Sequence, residues 1–184
     1  MIRNDAGSQR PGMTVSRDEL VIHGSDDGFR DMLHDMLSVF ARLEHMRDRF
    51  GTFLGLSGPQ YTILAAIRQF QGDKGIGVKE RADHLGLSGA FITIETKRLA
   101  KLGVIHKKTN PEDQRRVNLS LTSRGVEMLL QLAPLQREVN DTFFEALSAE
   151  DFRLLCKIMR SLRQSAGPAA ALADYLLDDG KDER

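Results

Sequence analysis

The segment from Val78 to Leu121 constrains this chain most, because its apolar period switches from helical to alternating part-way along. Residues 78–85 read as a short helix, Gly86-Leu87-Ser88 as a tight turn, and residues 89–102 as a second helix stopped by Gly103. Ala82 is small enough to let two helices cross closely, Gly86 suits a left-handed turn position, and Ser88 can cap the second helix. Val104-Ile105-His106-Lys107-Lys108 then has strand character. Asn110-Pro111-Glu112-Asp113 has turn chemistry, and Val117, Leu119 and Leu121 alternate as a returning strand. A helix-turn-helix followed by a two-stranded hairpin is a winged helix, so the expected fold class is mainly α with a small β-hairpin wing.

Long amphipathic segments flank this unit. Phe29, Leu33, Met36, Leu37, Phe40, Leu43, Met46 and Phe50 recur at steps of three and four, which predicts a helix of about 20 residues with one apolar stripe. Ser57-Gly58-Pro59 reads as a helix start, with Ser57 as cap and proline tolerated in the first turn, followed by Tyr61, Ile63, Leu64 and Ile67. Thr122 caps a helix running toward Leu147 with Pro134 inside it. Ser148-Ala149-Glu150-Asp151 resembles a capping box for a last helix, carrying Phe152, Leu154, Leu155, Ile158, Met159 and Leu162, that Gly167-Pro168 should stop. A short helix around residues 169–177 is expected beyond it. These stripes exceed what one small winged helix can cover, which predicts a homodimer, the alternative being that they fold back on one another within one chain.

Composition bounds the function. The chain has 184 residues, 26 Lys+Arg balanced by 26 Asp+Glu, one cysteine, and no apolar run near the roughly 20 residues that a membrane span needs. Disulfide scaffold and membrane protein are excluded, and the charged start does not read as a secretory signal, so a cytoplasmic protein is expected. The neutral average hides a basic centre. Residues 95–116 carry Lys97, Arg98, Lys101, Lys107, Lys108, Arg115 and Arg116 against Glu95, Glu112 and Asp113, while acidic residues outnumber basic ones before 36 and after 140. A localised basic patch is the footprint of nucleic-acid binding on a protein whose other surfaces do something else.

The order of motifs resembles the MarR family of bacterial winged helix-turn-helix transcription regulators, from about Leu33 to Leu162. Leu56-Ser57-Gly58-Pro59-Gln60-Tyr61-Thr62-Ile63-Leu64 looks like that family's second-helix signature. Leu85-Gly86-Leu87-Ser88 to Leu99-Ala100-Lys101-Leu102-Gly103 looks like its recognition-helix segment. Asn110-Pro111-Glu112-Asp113-Gln114-Arg115-Arg116 is similar to its wing, and Ser120-Leu121-Thr122-Ser123-Arg124-Gly125 to the step into the next helix. The resemblance implies an obligate homodimer with intertwined first and last helices, bound to double-stranded DNA at a pseudo-palindromic operator with half-sites about 10 base pairs apart. It further implies a repressor released by a small, anionic aromatic effector. A winged-helix protein-interaction module without DNA binding and a ligand-dependent activator are the alternatives.

The expected organisation is a flexible arm at 1–27, a dimerisation helix at 28–55, the DNA-binding domain at 56–122, further dimerisation helices at 123–166 and a tail at 167–184. On the recognition helix, Ser88, Gly89, Ala90, Phe91, Thr93, Ile94, Lys97 and Arg98 would face the major groove. Ser88 and Thr93 can bond phosphate or base edges, Phe91 can pack on a thymine methyl, and Lys97 and Arg98 can reach phosphate or guanine. Ile94 stands where the family usually has arginine and Glu95 where it has an apolar residue, so base readout does not carry over in detail. Glu95 has Lys79 or Arg98 as candidate partners, or simply a surface position. In the wing the resemblance places Arg115 at the tip in the minor groove, with Asp113 orienting basic groups, while Arg116, Lys107 and Lys108 suit phosphates. A solvated charge run would explain the same basic residues.

The resemblance places an effector where the dimerisation helices meet the winged helix, near Met36, Phe40, His45, Phe50 and Tyr61, although methionine and phenylalanine at helical spacing need no ligand to explain them. The GDKGIG run at 72–77 lacks Walker spacing and reads as a loop. His34 and His45 lie about three helical turns apart, near 16 Å, too far to share one ion. Cys156 sits among Phe152, Leu155 and Met159 and reads as an inert thiol. No nucleophile elbow, tuned carboxylate pair or metal cluster is present, so neither catalysis nor a cofactor is expected.

Overall fold

The computed structural model describes residues 12–72, 75–77, 88–110, 113–114 and 117–178. The expected helix at 78–85 with its Gly86-Leu87 turn, and Pro111, Glu112, Arg115 and Arg116 of the wing, lie outside the described residues.

The first long helix, α1 (Asp27–Phe53), extends beyond both ends of the apolar stripe that predicted it. Residues 12–26, expected to form a loose arm, carry local order of their own, with a 3-10 turn at Asp18–Leu20 and a bridge between Ile22 and Ser25. One side chain fastens them. The carboxylate of Asp26, almost fully buried, accepts from the Thr14 amide at 2.6 Å and its hydroxyl at 2.8 Å, and pairs with Arg30 at 2.6 Å. Such an anchor has no periodicity, which is why the segment shows no pattern in the sequence.

Helix α2 (Gly58–Phe70) starts as Ser57 predicts. The Gln60 amide donates to Ser57 Oγ at 3.3 Å, the Ser57 amide donates to Gln60 Oε1 at 3.1 Å, and Pro59 occupies the first turn. The short strand β1 (Ile76–Gly77) follows, where a plain loop was expected. It is brought into the sheet because Ile76 packs on the main core and pairs with Leu119.

Helix α3 (Gly89–Lys101) is capped by Ser88, whose Oγ accepts from the Phe91 amide at 3.2 Å. Gly103, at φ +72°, then turns the chain into β2 (Ile105–Thr109). β2 pairs antiparallel with β3 (Val117–Leu121) from Ile105 opposite Leu121 to Thr109 opposite Val117. The sheet order β1-β3-β2 makes three strands where the sequence suggested two.

Helix α4 (Ser123–Phe143) is capped by Thr122 and keeps Pro134 inside it, but ends short of Leu147. Gly125 sits so close to the Val104 carbonyl that a Cβ there would collide with backbone, so glycine is required for α4 to leave the wing at this angle. Helix α5 (Ala149–Asp178) begins with the expected box, in which the Asp151 amide donates to Ser148 Oγ at 3.1 Å and the Ser148 amide to Asp151 Oδ2 at 3.2 Å. It does not stop at Gly167-Pro168. Proline costs one backbone bond but its φ is helical, and Ala166, Ala169, Ala170 and Ala171 around it have the highest helix propensity. The predicted break and separate short helix are one continuous helix.

The main core lies under the winged helix: Leu56, Ile63, Leu64 and Ile67 meet Ile92 and Leu99 of α3 and Val104, Ile105 and Leu119 of the sheet. Each such side chain stabilises by about 1.5–3 kcal/mol when fully buried. Phe50, Tyr61 and Leu132 form a second cluster joining α1, α2 and α4. The flanking helices contribute little else to burial. No residue of α5 is buried within one chain, and Leu33, Leu37 and Phe40 of the α1 stripe are exposed.

Candidate nucleic-acid interface

Helix α3 turns Ile92, Glu95, Thr96 and Leu99 toward the core. At 3.6 residues per turn the opposite ridge consists of Ala90, Ile94, Lys97 and Lys101, all exposed. Ile94 stands out at 52% exposure, a large apolar side chain in the middle of that ridge. Among the predicted contacts, Ala90, Ile94 and Lys97 therefore share one outward line, whereas Phe91 is half-buried on the flank.

Three polar residues of the predicted set have work to do inside the helix. Ser88 Oγ caps the Phe91 amide, Thr93 Oγ1 donates back to the Gly89 carbonyl at 2.7 Å, and Arg98 Nη1 lies 2.6 Å from Glu95 Oε1. Glu95 is the residue that sequence reasoning left undecided. It is buried, and besides Arg98 it accepts from Gln60 Nε2 at 2.8 Å, so one carboxylate ties the start of α2 to the middle of α3. The Arg98 partner was among those foreseen and follows from i,i+3 spacing. Gln60 was not, because it stands 35 positions away on another helix.

The wing strand lies alongside this helix. Lys107 Nζ reaches Thr96 Oγ1 at 3.4 Å, and His106, Lys107 and Lys108 on β2 are exposed. Beyond β2 the Asp113 amide donates to Asn110 Oδ1 at 3.2 Å, and Asn110 Nδ2 donates to Asn118 Oδ1 at 3.3 Å on the returning strand. Lys97 and Lys101 on the outward ridge of α3, and Lys107 and Lys108 on the exposed strand beside it, are cations of the kind that phosphates neutralise.

The five effector candidates are not brought together within one chain. Phe50 and Tyr61 meet edge to face with ring centroids 5.6 Å apart, buried beside Leu132. Burial pushes the Tyr61 hydroxyl above its ordinary pKa despite the nearby Arg47 charge, so it stays a neutral phenol. Met36 is half-buried, Phe40 and His45 are exposed, and all three stand further along α1. Among the described residues no group of three His, Cys, Asp or Glu side chains could hold a metal ion. Within them, too, no helix is long and apolar enough to cross a membrane.

No family model matches the chain. Curated relatives do. It is 26% identical over 107 residues to the transcriptional regulator HosA of Escherichia coli, covering 58% of this chain and 77% of HosA. It is 23% identical over 137 residues to the HTH-type transcriptional repressor YetL of Bacillus subtilis, covering 74% of this chain and 81% of YetL. Among solved structures, a MarR protein from Peptoclostridium difficile superposes with a TM-score of 0.63 at 20% identity, covering 82% of this chain and 95% of that one. The chain has the MarR fold. Another MarR-fold structure, the S. aureus MepR–DNA complex, matches with a TM-score of 0.56 at 19% identity, over 70% of this chain and 96% of MepR. The family resemblance read from the motifs is borne out at the level of the fold, and among the described residues four of the five lysines lie on α3 and β2 of that fold.

Proposed function

We propose that this protein is a sequence-specific DNA-binding transcriptional regulator that works as a homodimer on a pseudo-palindromic operator. One observation carries the reading: the ridge of α3 opposite the core carries exposed Lys97 and Lys101, and the strand beside it, which touches α3 through Lys107 and Thr96, carries exposed Lys107 and Lys108. The named activities of HosA and YetL and the DNA held by MepR support it. Within this reading Arg115, with Arg116 beside it, enters the minor groove from the wing, while the four lysines neutralise phosphates.

Repression follows if the dimer occludes a promoter, and release follows if an anionic aromatic effector favours a dimer whose two recognition helices no longer match one turn of DNA. Only a ligand with different affinity for the two shapes can do this. The junction around Phe50 and Tyr61 is where such a ligand would act, since α1, α2 and α4 meet there. The reading assigns no reaction and no cofactor to the chain and places it in the cytoplasm.

The test is fluorescence anisotropy of the purified protein on its own upstream intergenic DNA, at two salt concentrations, with an unrelated duplex as competitor. About ten cationic contacts per dimer give a slope of log affinity against log salt near −9. Arg115→Ala is expected to abolish tight binding while leaving the circular dichroism spectrum unchanged. Binding that is absent at low salt overturns the proposal in favour of a protein-contact module or a ligand-dependent activator, and binding equal on the unrelated duplex overturns its sequence specificity.

A further inference from the structure

Eight residues make up the cap and first two turns of α3: Ser88, Gly89, Ala90, Phe91, Ile92, Thr93, Ile94 and Glu95. Arginine, lysine, asparagine and glutamine, the side chains that read guanine or adenine with paired hydrogen bonds, are all missing from it. The nearest guanidinium, Arg98, is held against Glu95 on the flank of the helix. The Thr93 proton is committed to the Gly89 carbonyl, and the Ser88 oxygen to the Phe91 amide. What this part of the helix offers to a partner on its outward ridge is instead apolar: Ala90 and, one turn on, Ile94, half in water with lysines beyond it.

In a major groove the one apolar feature on a base edge is the C5 methyl of thymine. We propose that Ala90 and Ile94 form a thymine-reading pair, so that specificity at the centre of each half-site comes from methyl burial rather than from hydrogen-bonded recognition of guanine. The lysines at 97 and 101 then fix the helix to flanking phosphates without reading sequence. The inference rests on the DNA-binding reading above and adds the base class that this helix selects.

The probe is a duplex selected by repeated binding from a library of randomised 30-mers, then resynthesised with each thymine of the half-sites replaced in turn by deoxyuridine, which lacks only the methyl. Burying one methyl gives about fourfold in affinity, so the critical thymine should show about a fourfold loss in one half-site and about fifteenfold in both. In Ile94→Ala, whose side chain is on the surface and leaves the fold intact, thymine and deoxyuridine duplexes should bind equally at that position. Selective binding with no deoxyuridine penalty, or a penalty that persists in Ile94→Ala, overturns the inference and leaves the DNA-binding reading standing. Recovery of no selective duplex overturns that reading, and the inference with it.

Discussion

Glu95 shows how a single carboxylate can look misplaced in a sequence and be structural in the fold. It occupies the buried face of α3, which normally favours an apolar side chain, and its charge is met by the Arg98 guanidinium on one oxygen and the Gln60 amide on the other. Glu95→Ala removes both bonds and leaves the Gln60 amide short of an acceptor, so it should destabilise by about 1–3 kcal/mol, and Glu95→Gln by less. Urea midpoints check this; an unchanged midpoint in Glu95→Ala would mean that the contact contributes nothing. Gly125 makes a second residue-scale case. Its missing Cβ is the space that the Val104 carbonyl occupies, and backbone cannot step aside as a flexible side chain can. Gly125→Ala is therefore expected to cost about 1–3 kcal/mol, read in the same titration.

At the scale of elements, what the sequence shows is what repeats or what caps. The capping residues Ser57, Ser88, Thr122 and Ser148 were legible because an oxygen placed just before an apolar run has one local use. The two-residue strand β1 was not, because a period cannot be read from Ile76 and Gly77, and its place is set by Leu119 far along the chain. Pro168 misled in the opposite direction: a strong local breaker lost to the alanines around it. The α3 ridge was legible as a set of candidates, yet which of them face outward depends on the phase that Ile92, Thr96 and Leu99 set by packing on the core. The anchor of residues 12–26 was silent for the same reason as β1, since Asp26 works through Thr14 twelve positions away. That anchor is titratable. The Thr14 amide and hydroxyl, with Arg30 adding to them, hold the Asp26 carboxyl below its ordinary pKa. A depressed carboxyl contributes stability above its unfolded pKa, near 4, and loses it as pH falls through the lower folded value. Hydrogen exchange at the Thr14 amide should thus stay protected at pH 5, and lose that protection only as pH falls below 4. Asp26→Asn should expose it at both, and protection that ignores the substitution would place the anchor elsewhere.

The whole molecule poses one question that no single chain answers, namely what covers its apolar surface. Phe152, Leu154, Ile158, Met159 and Leu162 of α5, with Leu33, Leu37 and Phe40 of α1, stand 39–57% exposed. Large apolar side chains left exposed along helices mark interaction surfaces, and a subunit of an obligate dimer looks like a core cut in half. A helix of 30 residues, about 45 Å long, with no buried residue of its own draws little stability from packing within one chain. A second copy offers the same stripes by two-fold symmetry and would set two α3 ridges on one face, as a palindromic operator requires. This argument yields a substitution that separates interface from fold. Because Leu162 is already 43% exposed in one chain, Leu162→Asp costs the isolated fold little, while in a dimer it forces two carboxylates into an apolar seam. Sedimentation equilibrium is expected to show a dimer for the natural chain and a monomer for Leu162→Asp. On the DNA-binding reading proposed above, losing the dimer should lower operator affinity steeply even though the proposed contact residues are unchanged, because each half-site is then bound alone and the gain from linking the two is lost. A dimer that survives Leu162→Asp would move the interface off α5 and leave its long apolar face without a role.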